Sequence, residues 1–228
     1  MIGIFDSGVG GFCALAEVRR LLPRENILYI ADRRNAPYGT KSEDDIIAFT
    51  EANIKRLVRQ GATAVLIACC SASSVYSKLK DEEKIISVPI ILPASQKAAK
   101  IGRNILVIAT ERTVKSKEFS RSIKSIDSNI NVHEMACQRL VTLVENGNRD
   151  GRIDEECKKI LLSIKDEVLR TSADGLILGC THFSHLEKEI KRVIPEVKII
   201  SPAKEGAKKI VRMIKNRPEE MGRVTYTC

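Results

Sequence analysis

Two segments of this chain nearly repeat one another, and each ends in a cysteine. Ala64-Val65-Leu66-Ile67-Ala68-Cys69 and Gly175-Leu176-Ile177-Leu178-Gly179-Cys180 are both apolar runs closed by a small residue and a thiol. Hydroxyls follow in each case, Ser71 and Ser73 after the first and Thr181 and Ser184 after the second. An apolar run of this length bounded by turn chemistry reads as a strand buried on both faces, the habit of parallel sheets. In open α/β sheets, ligands bind at the loops that follow the carboxyl ends of the strands. The repeat therefore predicts two similar half-sites, each delivering a thiol. Such a pair suits a reaction that needs the same chemistry from two opposite directions.

The rest of the chain alternates in the same way. Apolar periodicity predicts strands at 2–5, 26–30, 64–68, 88–92, 105–109, 131–134, 176–179 and 197–200. Helices are expected at 12–22, from Ser42 as cap to Gly61 as terminator, near 74–81, and at 113–126, 137–146, 155–171, 186–193 and 203–215. The tail from Asn216 lacks periodicity. Strands alternating with helices imply parallel sheets with right-handed crossovers. Because the two cysteine strands fall in different halves, the expected fold is α/β with two similar parallel-sheet domains facing each other. Residues 1–93 plus 203–228 are expected to form the first domain and 94–202 the second, with crossings at 93–100 and 201–205.

Composition narrows the function classes. The 228 residues carry seven cysteines and a formal net charge of +9. An odd cysteine count without a basic, apolar leader argues for free thiols and a cytoplasmic protein rather than a disulfide framework. Cys13 and Cys157, on helical patterns, read as small packing residues, and Cys228 as incidental. No run approaches the roughly 20 apolar residues of a membrane span. The basic residues are scattered among acidic and apolar ones, and few aromatics interleave with them, so the charge reads as a solvated surface and not a nucleic-acid face.

A glycine-rich turn, Asp6-Ser7-Gly8-Val9-Gly10-Gly11, follows the first strand. It lacks the lysine of a phosphate loop and the spacing of a dinucleotide fingerprint, and Asp6 would repel a phosphate. It fits better as a turn presenting a carboxylate and a hydroxyl to a cleft, although the glycines alone are better explained by an ordinary strand-to-helix turn. Taken together, Phe5–Gly11, Asp32 with Pro37-Tyr38-Gly39, Ala68-Cys69, Val144-Glu145 with Gly147, and Gly179-Cys180-Thr181-His182 resemble the glutamate racemases of the aspartate/glutamate racemase superfamily over nearly the whole chain. Related aspartate racemases typically carry glutamate where this chain has His182, which points to glutamate.

The resemblance implies two α/β domains related by a pseudo-twofold axis, with the active site between them, and racemisation without a cofactor. Cys69 and Cys180 would flank the substrate Cα, one thiolate removing the α-proton and the other thiol donating to the opposite face. Asp6 would assist Cys69, His182 would assist Cys180, and Glu145 would orient His182. Ser7, Tyr38, Gly39, Ser71 and Thr181 match positions that hold the substrate's carboxylates and ammonium, with Asp6, Cys70, Thr113 and His182 as further substrate contacts. The partners implied are a small amino-acid substrate, neither nucleic acid nor membrane, and a second copy of the chain in a homodimer.

Other readings stand beside these. Taken alone, His182 reads first as a satisfied structural histidine, and Glu145 also fits a helix-surface carboxylate. Cys69, Cys70, Cys180 and His182 could gather on zinc, but adjacent cysteines suit a tetrahedral site poorly and no Cys-x-x-Cys pair is present, so no metal is expected. The chain also departs from the family pattern: Cys70 replaces an asparagine, which removes an amide able to donate and accept. Arg33 replaces a small hydroxyl residue, and Ser201 an aspartate. Cys70 and Arg33 keep two alternatives open, a racemase of aspartate or another amino acid and an impaired relative that binds an amino acid without turning it over.

Overall fold

The computed structural model describes residues 1–148, 151–214 and 222–227. Its first half runs β1 (Ile2–Asp6), α1 (Phe12–Leu21), β2 (Ile27–Ala31), α2 (Glu43–Arg59), β3 (Ala64–Ile67), α3 (Cys70–Ser73), α4 (Asp81–Ile86), β4 (Ser87–Pro89) and α5 (Ile91–Ala98). There follow β5 (Asn104–Ala109), α6 (Glu111–Ser116), α7 (Glu118–Lys124), β6 (Asn131–Ala136), α8 (Gln138–Glu145), α9 (Glu155–Thr171), β7 (Gly175–Gly179), α10 (Glu187–Val193) and β8 (Lys198–Ile200). The described chain ends with α11 (Pro202–Val211) and β9 (Val224–Thr227).

Every strand pairing is parallel, and the strands form two sheets, ordered β4-β3-β1-β2-β9 and β6-β5-β7-β8. Read from its other edge, the second sheet is β8-β7-β5-β6, the same winding as β4-β3-β1-β2 in the first. The two α/β domains are therefore topological copies. β3 and β7 occupy the same place in each, and Cys69 and Cys180 lie just beyond their carboxyl ends.

The strands alternate their side chains between two helical layers. One face of each sheet contributes to a single shared core. Ile2, Ile4 and Leu66 from the first sheet and Ile105, Val107 and Ile177 from the second join Ala14 and Val18 of α1, Ala94 and Ala98 of α5, and Ala207 and Ile210 of α11. The alanines leave room for these helices to approach both sheets. On the outer face of the first sheet, Phe5, Val65 and Ile67 pack on Ile46, Ile54 and Leu57 of α2. On the outer face of the second, Leu106, Ile108, Leu176 and Leu178 pack on α8, α9 and α10. Each fully buried Leu or Ile contributes about 1.5–3 kcal/mol, so the shared layer is a strong bond between the domains.

Most expected elements are present with ends shifted by a few residues, and the differences have local causes. The expected helix at 74–81 is instead α3, a 3-10 turn at Tyr76–Lys78 and α4. The strand expected at 88–92 stops at Pro89, and α5 begins at once, accommodating Pro93 in its first turn where the missing N–H has no helical partner. The helix expected at 113–126 is two, because Lys117 adopts a left-handed conformation with φ of 56°. β9, in the tail whose sequence lacks periodicity, pairs with β2. Cys228 and the end of the last expected helix at Lys215 lie outside the described residues.

The caps expected for α2 are present. Ser42 Oγ accepts from the Asp45 backbone N–H at 3.2 Å, and Gly61 takes φ of +92° just past the helix end. Replacing Ser42 with alanine should cost about 1 kcal/mol, and with glycine only a few tenths. Denaturant midpoints of the two variants check this; equal midpoints for wild type and Ser42→Ala would show that the cap contributes nothing.

Candidate active site

The carboxyl ends of β1 and β3 meet those of β5 and β7 at the domain boundary. Asp6, the last residue of β1, is fully buried. Its Oδ1 accepts from the Gly8 N–H at 2.8 Å, and its Oδ2 accepts from the Thr181 hydroxyl of the other domain at 3.0 Å. Burial raises the Asp6 carboxyl above its ordinary value, while the nearby His182 and the two hydrogen bonds oppose that rise. The glycine-rich turn is built for this meeting. A Cβ on Gly10 would stand 2.5 Å from Thr181 Oγ1 and 2.8 Å from His182 Nδ1, so only glycine lets the segment after β7 come this close.

Both thiols are nearly closed off from solvent, Cys69 at 5% exposure and Cys180 at 7%. The Cys69 thiol donates to Ser7 Oγ at 3.6 Å. Burial pushes it up to about 11, with the Asp6 charge adding to the rise. Cys180 Sγ lies 3.6 Å from His182 Nδ1, and His182 Nε2 lies 3.1 Å from Glu145 Oε1 at the end of α8. If Nε2 carries the ring proton to the carboxylate, Nδ1 is left as an acceptor facing the thiol. Burial raises Cys180 above the ordinary thiol range, and the charges of Cys69, Asp6 and Glu145 add to this. The two thiols thus lie within range of each other's charge, and each has a titratable neighbour. Cys70 turns into the shared core and is also held well above its ordinary value, first by burial and then by the charges of Cys180 and Cys69.

Hydroxyls cross the boundary beside the thiols. Ser71 Oγ lies 3.2 Å from Thr110 Oγ1 and 3.4 Å from Thr113 Oγ1, and the Thr110 hydroxyl donates to Thr113 Oγ1 at 3.0 Å. Gly39 faces Thr110 and Gln138 from the first domain. The Tyr38 hydroxyl is already committed, donating to Asp32 Oδ2 at 2.6 Å, with the Asn53 amide donating to the same oxygen at 3.0 Å. Tyr38 therefore holds its loop through Asp32, and Gly39 is the member of the pair that meets the other domain.

Three residues at this junction escaped the sequence reading. Thr110 caps α6 and joins the hydroxyl cluster; a threonine ahead of Glu111-Arg112-Thr113 is a cap signal that could have found it. Gln138 has a buried Oε1 without a hydrogen-bond partner, and nothing in its sequence context marks it. Arg112 Nη2 pairs with Glu43 Oε2 at 2.6 Å, joining the start of α6 to the start of α2.

Cys157 is a fully buried packing residue of the second domain. Cys13 packs at the edge of the shared core, and its Sγ also lies 3.6 Å from His185 Nε2 of the other domain. Beside that pair, a cleft of about 710 Å³ opens between the domains, with Gly8, Phe12 and Arg33 on one wall and Glu145 and His185 on the other. Among the described residues, no three His, Cys, Asp or Glu side chains converge as metal ligands. The arrangement can move protons between two buried thiols and can hold carboxylates with hydroxyls and backbone N–H groups.

The family model for Asp/Glu/Hydantoin racemase matches residues 14–210. A glutamate racemase of Thermoanaerobacter sp. (strain X514) is 37% identical over 206 residues, 89% of this chain and 76% of that protein. Glutamate racemase isoform RacE1 of Bacillus anthracis superposes with a TM-score of 0.84 at 30% identity, over 99% of this chain and 87% of that one. The Francisella tularensis glutamate racemase in complex with D-glutamate gives a TM-score of 0.84 at 27% identity, over 100% of this chain and 88% of that one. A chain that carries two thiols on matching strands and matches the family model over most of its length belongs to the Asp/Glu/Hydantoin racemase family.

Proposed function

We propose that this protein is a cofactor-independent glutamate racemase, interconverting L- and D-glutamate by proton transfer between Cys69 and Cys180. In its cell it would supply D-glutamate for peptidoglycan precursor synthesis in the cytoplasm. The observation that carries the reading is the placement of two buried thiols at matching strand ends, each beside a side chain that can handle a proton. The similarity to glutamate racemases supports glutamate as the substrate.

The chemistry follows from the surroundings. An amino-acid α-proton is very weakly acidic, so its removal needs a strong base. A thiolate desolvated beside a carboxylate is a stronger base than a free one. In one direction the Cys69 thiolate takes the α-proton, the bonding pair stays on Cα, and the Cys180 thiol gives its proton to the opposite face. The negative charge has then moved from Cys69 to Cys180, and the reverse reaction restores it. Asp6, raised by burial, suits removal of the Cys69 proton, and His182 Nδ1 does the same for Cys180 while Glu145 fixes the ring. The substrate ammonium, entering a site whose thiols resist ionisation, would favour the thiolate. Ser7, Gly39, Ser71, Thr110, Thr113 and Thr181 would hold the carboxylates. Cys70, a weak hydrogen-bonding group in the shared core, supplies shape.

Chiral analysis after incubation with each enantiomer of glutamate, and separately of aspartate, tests the reading. Racemisation of glutamate without added cofactor is expected; turnover of aspartate alone, or of neither, would overturn it. Cys69→Ala and Cys180→Ala are each expected to lower racemisation by at least a thousandfold while leaving the protein folded. Wild-type turnover in either variant would refute the two-thiol mechanism. Because burial holds both thiols above their ordinary values, the thiolate is scarce at neutral pH and grows as pH rises. kcat/KM should therefore climb between about pH 6.5 and 8.5; a fall over that range would contradict a thiolate base.

A further inference from the structure

Gln138 opens α8 and Glu145 closes it. Seven residues return a side chain to the same helix face, displaced by about 10 Å along the axis. The Glu145 end meets His182 Nε2 at 3.1 Å, and the other ring nitrogen faces Cys180. The Gln138 end meets the loop after β2: a Cβ on Gly39 would stand 2.9 Å from Gln138 Oε1 and 3.0 Å from Thr110 Cβ. Strand order gives a similar separation. β6, which leads into Gln138, lies two places from β7, which leads into Cys180, and neighbouring strands are about 4.8 Å apart. Between them β5 leads into Thr110, whose side chain joins the Ser71 and Thr113 hydroxyls.

Gln138 Oε1 is buried without a hydrogen-bond partner, a state that costs free energy and calls for a reason. Cover does not set this side chain apart from the site, because the residue is partly exposed while both thiols are buried. A half-turn of the amide exchanges its carbonyl and amino ends, so the same group can accept or donate. Resting on the reading of this site as a glutamate racemase, we infer that Gln138 selects the substrate by length, its amide donating to the side-chain carboxylate of glutamate beside Thr110 and Gly39. With Cα between the thiols, that carboxylate extends past Thr110 toward the end of β6. The side chain of aspartate is shorter by one carbon–carbon bond, about 1.5 Å, and leaves the amide unpaired. A polar group that only the correct substrate satisfies discriminates far more strongly than an apolar pocket does.

Glutamate racemisation kinetics of the full chain, with aspartate as competitor, test this in Gln138→Leu and Gln138→Glu. Gln138→Leu should raise KM for glutamate at least tenfold with kcat within fivefold, the pattern of a lost binding contact. Aspartate should inhibit the variant as well as it inhibits the wild type. Gln138→Glu keeps the shape of the side chain and replaces its donor with a carboxylate, so KM should rise at least as far. The thermal midpoint of Gln138→Leu should not fall, since the substitution removes an unpartnered buried oxygen. The pH profile of kcat should keep its wild-type limb, because Gln138 does not titrate. An unchanged KM in both variants, or an equal weakening of aspartate, would overturn the inference. A shifted pH limb would also overturn it, since the substitution would then act through α8 and Glu145 on the Cys180 side. If the wild type does not racemise glutamate, the racemase reading and this inference fall together; if it does and KM ignores position 138, the inference alone falls.

Discussion

Removing a thiol from water penalises its ionised form, and the rest of the site answers to that penalty. Cys69 and Cys180 are covered almost completely, and both are harder to ionise than free cysteine. The same burial that makes the thiolate rare makes it a strong base once formed. Such a site needs groups that can accept the thiol's proton without water, and these stand next to each thiol. Asp6 is itself raised by burial, and His182 is poised by Glu145 with a ring nitrogen toward Cys180.

Covering two thiols at once requires two sheets to meet at their strand ends, and the sequence arranges this in two registers. Apolar contacts through α1, α5 and α11 bind the domains along a shared core. At the thiols themselves the crossing contacts are polar: Asp6 with Thr181, Ser71 with Thr110, and Glu43 with Arg112. Polar contacts exchange readily for water or for a substrate's carboxylates, because the net gain of one hydrogen bond is only about 1 kcal/mol. The fold thus joins an apolar interface to a polar one, and the boundary between them runs past the glycine-rich turn.

The parts of this plan that rest on local chemistry could be read from the chain. The strands before Cys69 and Cys180 were legible because burial on both faces leaves an uninterrupted apolar run. The cap at Ser42 and the stop at Gly61 were legible because each acts within a few residues. What was lost depends on tertiary context. Val224–Thr227 is too short to announce a strand and gains one by lying against β2. Lys117 breaks a periodic helix at a single left-handed residue that no motif marks. In the site, the thiols came from the repeated strand-and-cysteine pattern and Asp6, His182 and Glu145 from motif resemblance; the structure buries the thiols, Asp6 and His182, with Glu145 half-exposed at the end of α8 against His182. Thr110 and Gln138 were missed because their importance comes from facing Ser71 and Gly39 across the domain boundary. The need for glycine at position 10 became clear only when Thr181 and His182 were found against it.

The central claim is that one thiol takes the α-proton and a different thiol returns one from the other side. Incubating a single glutamate enantiomer in deuterated water and analysing both enantiomers within the first turnovers tests it most directly. The account predicts deuterium at Cα of the product enantiomer and almost none in the recovered substrate, since the abstracting thiol holds the substrate's own proton while the opposite thiol carries deuterium. Equal labelling of both enantiomers, or a product that keeps its original α-proton, would show a single base acting on both faces and would contradict the account.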